Sequence, residues 1–323
     1  MDATALTQMV DKLKEELARR PPTTRAAIVG KTPAAFDLVQ AFFTLGVQHQ
    51  LLGVYDEQGT VASGSPLSHP RPIGQLGLDK PDLVLIASDD GKEALIAAAL
   101  PHLTPTTKIL IGGFGHYRFQ DELFDRETGN AFAPSFANGY PNTLIHIYQC
   151  LQNAGRANLQ GVVAEFGMFK GGTTMLISRF IEALGKDWKV FGFDTFGGFP
   201  APRSPLDMYA HPDCVYLDQK TVERFFEGRN VEVVAGDIVE TAKRLSREKI
   251  VLAFVDTDNF TSADRILDII TPQIEVGGAI VFDHFTGRNR FLYTLGERFA
   301  AKRLLDDSRY FNLHDTGVFL RVR

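Results

Sequence analysis

The composition of the chain is that of an ordinary globular protein: of its 323 residues, 44% are hydrophobic and 23% are charged. This length suits two domains better than one. The formal net charge of −5, with no basic block or basic tail, excludes a nucleic-acid binder and a protein that associates with anionic membranes.

A helix is predicted at the start of the chain, over residues 1–20. Its apolar residues recur at the spacing of one helix face, and they are Leu6, Met9, Val10, Leu13 and Leu17. This stripe suits a docking or dimer helix, or equally a helix that lies on its own domain. We expect the protein to be a homo-oligomer.

Residues 21–115 alternate between apolar runs of strand type and amphipathic runs of helix type. The strands are RAAIVG, HQLLGVYDE, DLVLIAS and TKILIGG. This alternation predicts a parallel sheet with right-handed crossovers, and therefore a small Rossmann-like accessory domain. The first turn, VGKTPAAF, has Gly30 alone where a dinucleotide fingerprint requires three glycines. We therefore predict a scaffold or substrate-docking role for this domain, with no cofactor.

Residues 116–138 lose the periodicity and are predicted to be a linker. The second domain, residues 139–323, begins with the helix YPNTLIHIYQCLQNAG. Five apolar strands follow, each of a type buried on both faces: GVVAEF, KVFGFD, VEVVAG, VLAFVD and GAIVFDH. The chain closes with RYFNLHDTGVFLRVR, which has the signal of a hairpin. This pattern predicts the seven-stranded α/β sheet of a class I methyltransferase.

The segment EFGMFKGGTT joins the first strand of the second domain to a helix. Its glycines, Gly167, Gly171 and Gly172, let the backbone approach a ligand closely and let the helix start against the strand. Glu165 would repel a pyrophosphate but suits a ligand with an ammonium group and no phosphate. S-adenosylmethionine has these properties, and we expect this loop, including Thr173, to bind it.

The next two strands end in residues that suit the same ligand. Asp194 ends KVFGFD, where a carboxylate can accept hydrogen bonds from both ribose hydroxyls. Gly236 and Asp237 end the third strand, where such folds position the adenine. The alternative for a single Asp at a strand end is a helix N-cap.

Three carboxylates and an imidazole follow the fourth and fifth strands: Asp256, Asp258, Asp283 and His284. Ligands of open α/β sheets bind beyond the carboxyl ends of the strands, so these groups are expected to share one site. Their donor atoms suit a divalent metal, with Mg²⁺ or Mn²⁺ as first choices. A second carboxylate would then take the proton from a substrate hydroxyl. The alternative is that these residues serve as helix caps and loop hydrogen bonds.

The segment TFGGFPAPRSPLDMYAHPDCVYLDQKTVERFF is too long for a routine connection between a strand and a helix. We interpret it as a lid or a wall of the substrate pocket, with a surface excursion as the alternative. Tyr209 and His211 are its candidate substrate contacts.

Together these motifs resemble the macrocin O-methyltransferase (TylF/MycF-like) family over roughly residues 140–323. The resemblance depends on VVAEFGMFKGGTT, DTFGGFP, GDIVETA and AFVDTDNFTSADRIL. It implies methylation of a sugar hydroxyl on a natural product, with S-adenosylmethionine and a divalent metal. It also implies that Asp256 and Asp283 are metal ligands and that Asp258 is the general base.

The chain departs from that family at the end of the fifth strand, where Asp283-His284 replaces Asp-Asp. Histidine is a weak Mg²⁺ ligand and a better ligand for softer metals, which leaves both the identity and the use of a metal open. His284 is therefore a third metal ligand or, alternatively, the base of a metal-independent transfer.

We therefore predict an S-adenosylmethionine-dependent O-methyltransferase that acts on a hydroxyl of a sugar or a glycosylated metabolite. One alternative is an NAD-dependent oxidoreductase or epimerase that uses the first domain, although the glycine triplet is missing there. A non-catalytic binding subunit is the other alternative, against which the clustered carboxylates argue.

The cysteines and the apolar runs indicate the compartment. Two cysteines, Cys150 and Cys214, are too few for a disulfide framework and lack metal-ligand spacing. No apolar run reaches the ~20 residues that span a bilayer, and residues 1–20 lack the apolar core of a signal peptide. We therefore expect a cytoplasmic protein with no membrane partner.

Overall fold

The computed structural model divides the chain into two compact units, Met1–Phe119 and Gln120–Arg323. The structure describes residues 1–58, 69–129, 143–286, 292–314 and 316–323. No helix among these residues is long and apolar enough to cross a membrane.

The described part of the first unit is a parallel sheet with helices. Its elements in chain order are α1 (Ala3–Ala18), β1 (Ala26–Val29), α2 (Pro33–Thr44), β2 (Leu51–Asp56), β3 (Arg71–Pro72), α3 (Leu76–Asp79), β4 (Leu83–Ile86), α4 (Lys92–Ala99) and β5 (Lys108–Leu110). The strand order is β3-β2-β1-β4-β5, and every pair is parallel. This is the order of a doubly wound Rossmann-like sheet, as the sequence predicts.

The N-terminal helix α1 belongs to the first unit. Asp2 caps it, because the Asp2 carboxylate accepts a 2.8 Å hydrogen bond from the Ala5 N–H. Met9 and Leu13 are fully buried in the same apolar core as the strands of the first unit. Of the two alternatives for residues 1–20, the structure therefore favours a helix that lies on its own domain.

The second unit contains a larger sheet. Its elements in chain order are α5 (Glu122–Gly129), α6 (Thr143–Arg156), β6 (Val162–Phe166), α7 (Gly172–Ala183), β7 (Lys189–Asp194), α8 (Gln219–Phe225), β8 (Val231–Ala235), α9 (Ile238–Thr241), β9 (Ile250–Val255), α10 (Phe260–Ile270), β10 (Ile274–Phe282), α11 (Leu295–Ala301), β11 (Tyr310–Asn312) and β12 (Val318–Arg321). The seven strands are ordered β11-β12-β10-β9-β6-β7-β8. Among the described strands of this sheet, only β12 pairs antiparallel, with β10 and with β11. The predicted seven-stranded class I methyltransferase fold is confirmed.

Helix α5 lies within residues 116–138, which the sequence predicts to be a linker. Asp121 caps this helix and also accepts a 2.7 Å hydrogen bond from the Tyr148 hydroxyl. The Phe124 ring is buried and packs against the Tyr148 ring. The linker prediction is therefore wrong here, because two helical turns are too short to show a clear apolar period. Residues 130–138 of that prediction lie outside the described residues.

The register of the sheet places four strand ends side by side. Val255 of β9 pairs with Phe166 of β6 on one side and with Phe282 of β10 on the other. Phe166 also pairs with Phe193 of β7. The residues that follow these positions therefore emerge along one edge, where parallel sheets bind ligands.

Candidate active site

A cavity of about 330 Å³ opens at this edge of the sheet. Seven of the predicted site residues line it: Gly167, Asp194, Asp237, Asp256, Asp258, Asp283 and His284. Five do not: Glu165, Gly171, Gly172, Thr173 and Gly236. The acidic residues at the strand ends thus line one cavity, whereas most residues of the glycine-rich loop do not line it.

Glu165 is enclosed in the protein instead of facing the cavity. It is 2% exposed, and the Thr174 hydroxyl donates a short hydrogen bond to its carboxylate. Burial raises the pKa of Glu165 to about 8, and the carboxylates of Asp256 and Asp194 act in the same direction, against the Thr174 hydrogen bond. In the structure the carboxylate of Glu165 thus has its partner on helix α7, and its predicted contact with a ligand ammonium group stays a prediction.

Packing explains two glycines of the loop. Gly167 has φ +94°, and a Cβ atom there would lie 1.9 Å from the Asp256 carbonyl oxygen. Gly171 has φ +83° where α7 begins, and a Cβ atom would lie 2.7 Å from the Phe226 ring. Both positions require glycine because of left-handed backbone and close neighbours. The loop thus lets strand ends β6 and β9 approach each other.

Asp194 lines the cavity and also organises two turns. Its carboxylate accepts hydrogen bonds from the N–H groups of Phe169 (2.8 Å) and Phe196 (2.7 Å). Burial raises its pKa, and the backbone hydrogen bonds oppose that shift. Each carboxylate oxygen has a second lone pair, so Asp194 can still accept a hydrogen bond from a ligand.

Asp237 also has two roles at the cavity wall. It caps α9 by accepting a 3.1 Å hydrogen bond from the Val239 N–H, and it pairs with the Arg203 guanidinium. The N-cap alternative for strand-end acids is therefore correct for Asp237, which nevertheless remains accessible from the cavity.

The imidazole of His284 lies among three carboxylates. Its Nε2 atom is 3.1 Å from an oxygen of Asp258, 3.4 Å from Asp256 and 3.5 Å from Asp283. Burial lowers the pKa of His284, but hydrogen bonds to Asp256 and Asp258 and the charge of Glu297 together raise it to about 12. These surroundings favour the protonated imidazole, which would balance part of the negative charge of the three carboxylates.

The same cluster offers a donor set for a cation. One ligand atom each from Asp256, Asp258 and His284 lie within 4.8 Å of one another. Two carboxylate oxygens and an imidazole nitrogen at this separation fit a single divalent ion. An imidazole that binds an ion must be neutral, so metal binding would displace the proton of His284.

Glu297 is a site residue that the sequence analysis missed. It is completely buried on α11, and one of its oxygens accepts the N–H groups of Thr257 (2.9 Å) and Asp258 (3.1 Å). Its other oxygen accepts the N–H of His284 (3.0 Å). Burial raises the pKa of Glu297 to about 8.

A signal for Glu297 exists in the sequence. It precedes the buried Ala300, Ala301 and Leu304 by three, four and seven positions, so it lies on the apolar face of its helix. A carboxylate at such a position requires internal hydrogen-bond donors, which are the strand-end amides.

The segment between β7 and α8 forms one wall of the cavity, through Tyr209 and Cys214 among others. The Asn259 side chain accepts a 2.9 Å hydrogen bond from the Tyr209 N–H and donates a 2.9 Å bond to the Tyr209 carbonyl. Asp207 accepts from both the N–H and the hydroxyl of Thr261. The segment is therefore fastened to the start of α10. His211, the other candidate contact, does not line the cavity.

No curated protein matches the chain. Among solved structures, the O-methyltransferase NovP is 19% identical, with 56% of this chain and 79% of NovP covered and a TM-score of 0.48. The calicheamicin methyltransferase CalS11 is 19% identical, with 64% and 95% covered and a TM-score of 0.43. The S-adenosylhomocysteine-bound methyltransferase PaMTH1 of Podospora anserina is 15% identical, with 64% and 97% covered and a TM-score of 0.36.

The sequence profile of the macrocin-O-methyltransferase (TylF) family matches residues 122–321. This match includes more than half of the chain and every residue that lines the cavity. The chain therefore belongs to the macrocin-O-methyltransferase (TylF) family, and it is an S-adenosylmethionine-dependent methyltransferase.

Proposed function

We propose that the protein transfers the methyl group of S-adenosylmethionine to a hydroxyl of a sugar or a glycosylated metabolite. The observation that carries this proposal is the cluster of Asp256, Asp258, Asp283 and His284 on one cavity wall. A hydroxyl must lose its proton as it attacks the methyl carbon, and this cluster supplies a base close to a cation. The family match supports the same acceptor class.

The methyl donor is assigned to the part of the cavity bounded by β6, β7 and β8. Asp194 would accept hydrogen bonds from the ribose hydroxyls through its free lone pairs. Gly167 would let the donor lie against bare backbone, and Asp237 would lie beside the adenine. Four predicted donor-binding residues would support this wall without lining the cavity: Gly171, Gly172, Thr173 and Gly236. Glu165 would support it through its hydrogen bond with the Thr174 hydroxyl.

Asp258 is the proposed general base. It lines the cavity with its backbone at φ +61°, a conformation that few residues other than glycine adopt. In-line transfer requires the hydroxyl oxygen about 3 Å from the methyl carbon, so much of the catalysis lies in positioning. A pKa raised to about 12 favours the protonated imidazole, so His284 is not available to accept the proton of the acceptor hydroxyl. Its proposed catalytic role is to hold positive charge beside Asp258.

A divalent metal fits the clustered donor atoms of Asp256, Asp258 and His284, of which Asp256 and His284 are predicted ligands. Asp283, the third predicted ligand, has an oxygen 3.5 Å from the Nε2 atom of His284 and would hold the ion from the β10 side. When bound, such an ion would act as a Lewis acid that orients the acceptor hydroxyl and lowers its pKa. The imidazole nitrogen makes this donor set softer than an all-oxygen site, which favours Mn²⁺ over Mg²⁺. The carboxylates of Asp256, Asp258 and Asp283 would thus balance the positive charge of either the metal ion or the protonated imidazole.

Calorimetric titration with S-adenosylhomocysteine and with NAD⁺, each with Mn²⁺, with Mg²⁺ and with chelator, tests the donor assignment. We expect S-adenosylhomocysteine to bind, NAD⁺ to give no heat, and Asp194→Ala to abolish binding. Binding of NAD⁺ without S-adenosylhomocysteine would instead support an oxidoreductase. Transfer of a tritiated methyl group to a panel of glycosides, with mass spectrometry of the products, tests the acceptor class.

A further inference from the structure

Glu297 connects the two strand ends that carry the proposed catalytic groups. Its carboxylate accepts three backbone hydrogen bonds, two from the β9 end (Thr257 and Asp258) and one from the β10 end (His284). All three donor–acceptor distances lie between 2.9 and 3.1 Å. A single side chain thus fixes the backbone on both sides of the acidic cluster.

The position of Glu297 separates it from the reacting atoms. It is completely buried and does not line the cavity, so it cannot touch the acceptor or the methyl donor. Its hydrogen bonds reach the site through the main chain of Thr257, Asp258 and His284. A carboxylate enclosed in this way must be matched by donors, and the strand-end amides supply them.

The backbone of Asp258 needs such support. Its φ of +61° is unfavourable for a residue with a side chain, and it persists only where neighbours enforce it. The hydrogen bond from the Asp258 N–H to Glu297 is a direct restraint on this conformation. Without it, the Asp258 backbone would relax and its carboxylate would leave the His284 imidazole.

We propose that Glu297 is the positioning residue of this methyltransferase: it holds Asp258 and His284 in their relative places by binding their backbone amides. The inference rests on the proposed function, in which Asp258 is the base. Groups that orient catalytic side chains commonly alter rate by about 10–100-fold when they are removed.

The first test compares Glu297→Gln with Glu297→Asp in the full-length chain. The glutamine keeps the shape but turns an N–H₂ group toward backbone donors, and the aspartate keeps the carboxyl group but is one methylene shorter. We expect both variants to lower kcat by about 10–100-fold while the Kd for S-adenosylhomocysteine stays near that of the wild type. Full activity in Glu297→Asp would mean that the position of the carboxyl group does not matter, and would overturn the inference.

Glu127→Gln is the matched control, because Glu127 is another buried carboxylate of the same unit. It pairs with Arg179 and does not line the cavity. This variant should lose stability without losing kcat. If Glu127→Gln lowered kcat as much as Glu297→Gln, the effect of Glu297 would be one of general stability and the inference would be wrong.

A double-mutant cycle with Asp258→Asn shows whether Glu297 acts through Asp258. Once the base is absent, its position no longer matters, so Glu297→Gln should cause little further loss of kcat. If the fold-losses of kcat in the two single variants multiplied in the double variant, Glu297 would not act through Asp258.

Amide hydrogen exchange gives a readout that does not depend on turnover. We expect the amides of Thr257, Asp258 and His284 to exchange faster in Glu297→Gln, while those of β9 and β10 keep their protection. A uniform loss of protection would indicate a structural role only. Should Glu297→Gln fail to fold, Glu297→Asp provides the same measurement.

Wild-type activity is measured before any variant. No methyl transfer to any glycoside would contradict the proposed function itself. Transfer by the wild type at a rate that Glu297→Gln preserves would contradict the role of Glu297 alone.

Discussion

At the scale of single residues, Asp258 is the group on which the chemistry depends most. Replacing it with Asn keeps the side-chain shape but removes the base, so we expect kcat to fall by about 10²–10⁴-fold. The affinity for S-adenosylhomocysteine should not change, because the donor is assigned to other strand ends. Single-turnover kinetics and calorimetry measure the two quantities.

Asp264→Asn is the control for this substitution, since Asp264 lies on α10 in an ion pair with Arg303. It should leave both quantities unaffected. An equal loss of donor affinity in Asp258→Asn would assign Asp258 to donor binding and contradict its role as the base.

Glu165 should make stability depend on pH. Burial raises its pKa from 4.5 to about 8 in the folded state, so folding favours the protonated carboxyl. This contribution to the free energy of unfolding is complete below pH 4.5 and is lost as the pH rises to about 8. One pKa unit corresponds to about 1.4 kcal/mol, so the shift sets an upper bound of about 5 kcal/mol.

Glu165→Gln isolates this contribution, because the other titrating groups are the same in both proteins. Urea unfolding with chelator present should show the variant gaining stability relative to the wild type as the pH increases from 4.5 to 8. A constant difference between the two proteins over that range would show that Glu165 is ionised in the fold.

At the scale of elements, the segment between β7 and α8 depends on Asn259. Asn259→Ala removes two hydrogen bonds to Tyr209, each worth about 1 kcal/mol, so local opening should increase on the order of tenfold. We expect faster proteolysis within residues 199–217 and a higher KM for the acceptor. Limited proteolysis and steady-state kinetics measure these effects.

Asn230→Ala controls for the loss of a side-chain hydrogen bond, because Asn230 donates to the Asp187 carbonyl outside this segment. It should leave the proteolysis pattern unchanged. If proteolysis within residues 199–217 were equally fast in Asn259→Ala and Asn230→Ala, Asn259 would have no specific role in holding the segment.

Most strands of the second unit could be predicted because they are mainly apolar runs followed by a polar residue, although β8 is only partly buried. β6 and β9 are buried along their whole lengths, so their sequences contain little else. Their ends therefore locate Asp194, Asp256 and Asp283 without a structure. Short elements could not be predicted, since α5 has too few turns to show a helical period.

Contacts between segments that are distant in the chain could not be predicted from the sequence either. Glu297 reaches Thr257 across 40 positions, and no local pattern records that distance. The position of Glu165 near a strand end predicts a ligand contact. In the structure its carboxylate instead accepts a hydrogen bond from the Thr174 hydroxyl inside the protein. Charge and spacing thus indicate that a group is near the site, whereas packing decides which way it faces.

At the scale of the whole molecule, the chain divides into two units, and the family match begins at residue 122. Among the residues that the structure describes, those that line the cavity all lie between Gly167 and His284, within the second unit. That unit also has its own sheet and its own apolar core. Donor binding should therefore be a property of the second unit alone.

A fragment of residues 120–323 tests this division. Because compact units with their own cores can fold separately, we expect the fragment to bind S-adenosylhomocysteine with a Kd within about threefold of that of the full chain. Residues 1–119 should also fold but show no heat of binding in the same calorimetric titration. If the fragment 120–323 folds, as judged by circular dichroism and a cooperative melt, yet has lost the ligand, then the first unit takes part in donor binding. Retained donor binding with loss of methyl transfer would instead assign the first unit to recognition of the acceptor, the docking role that its sequence suggests.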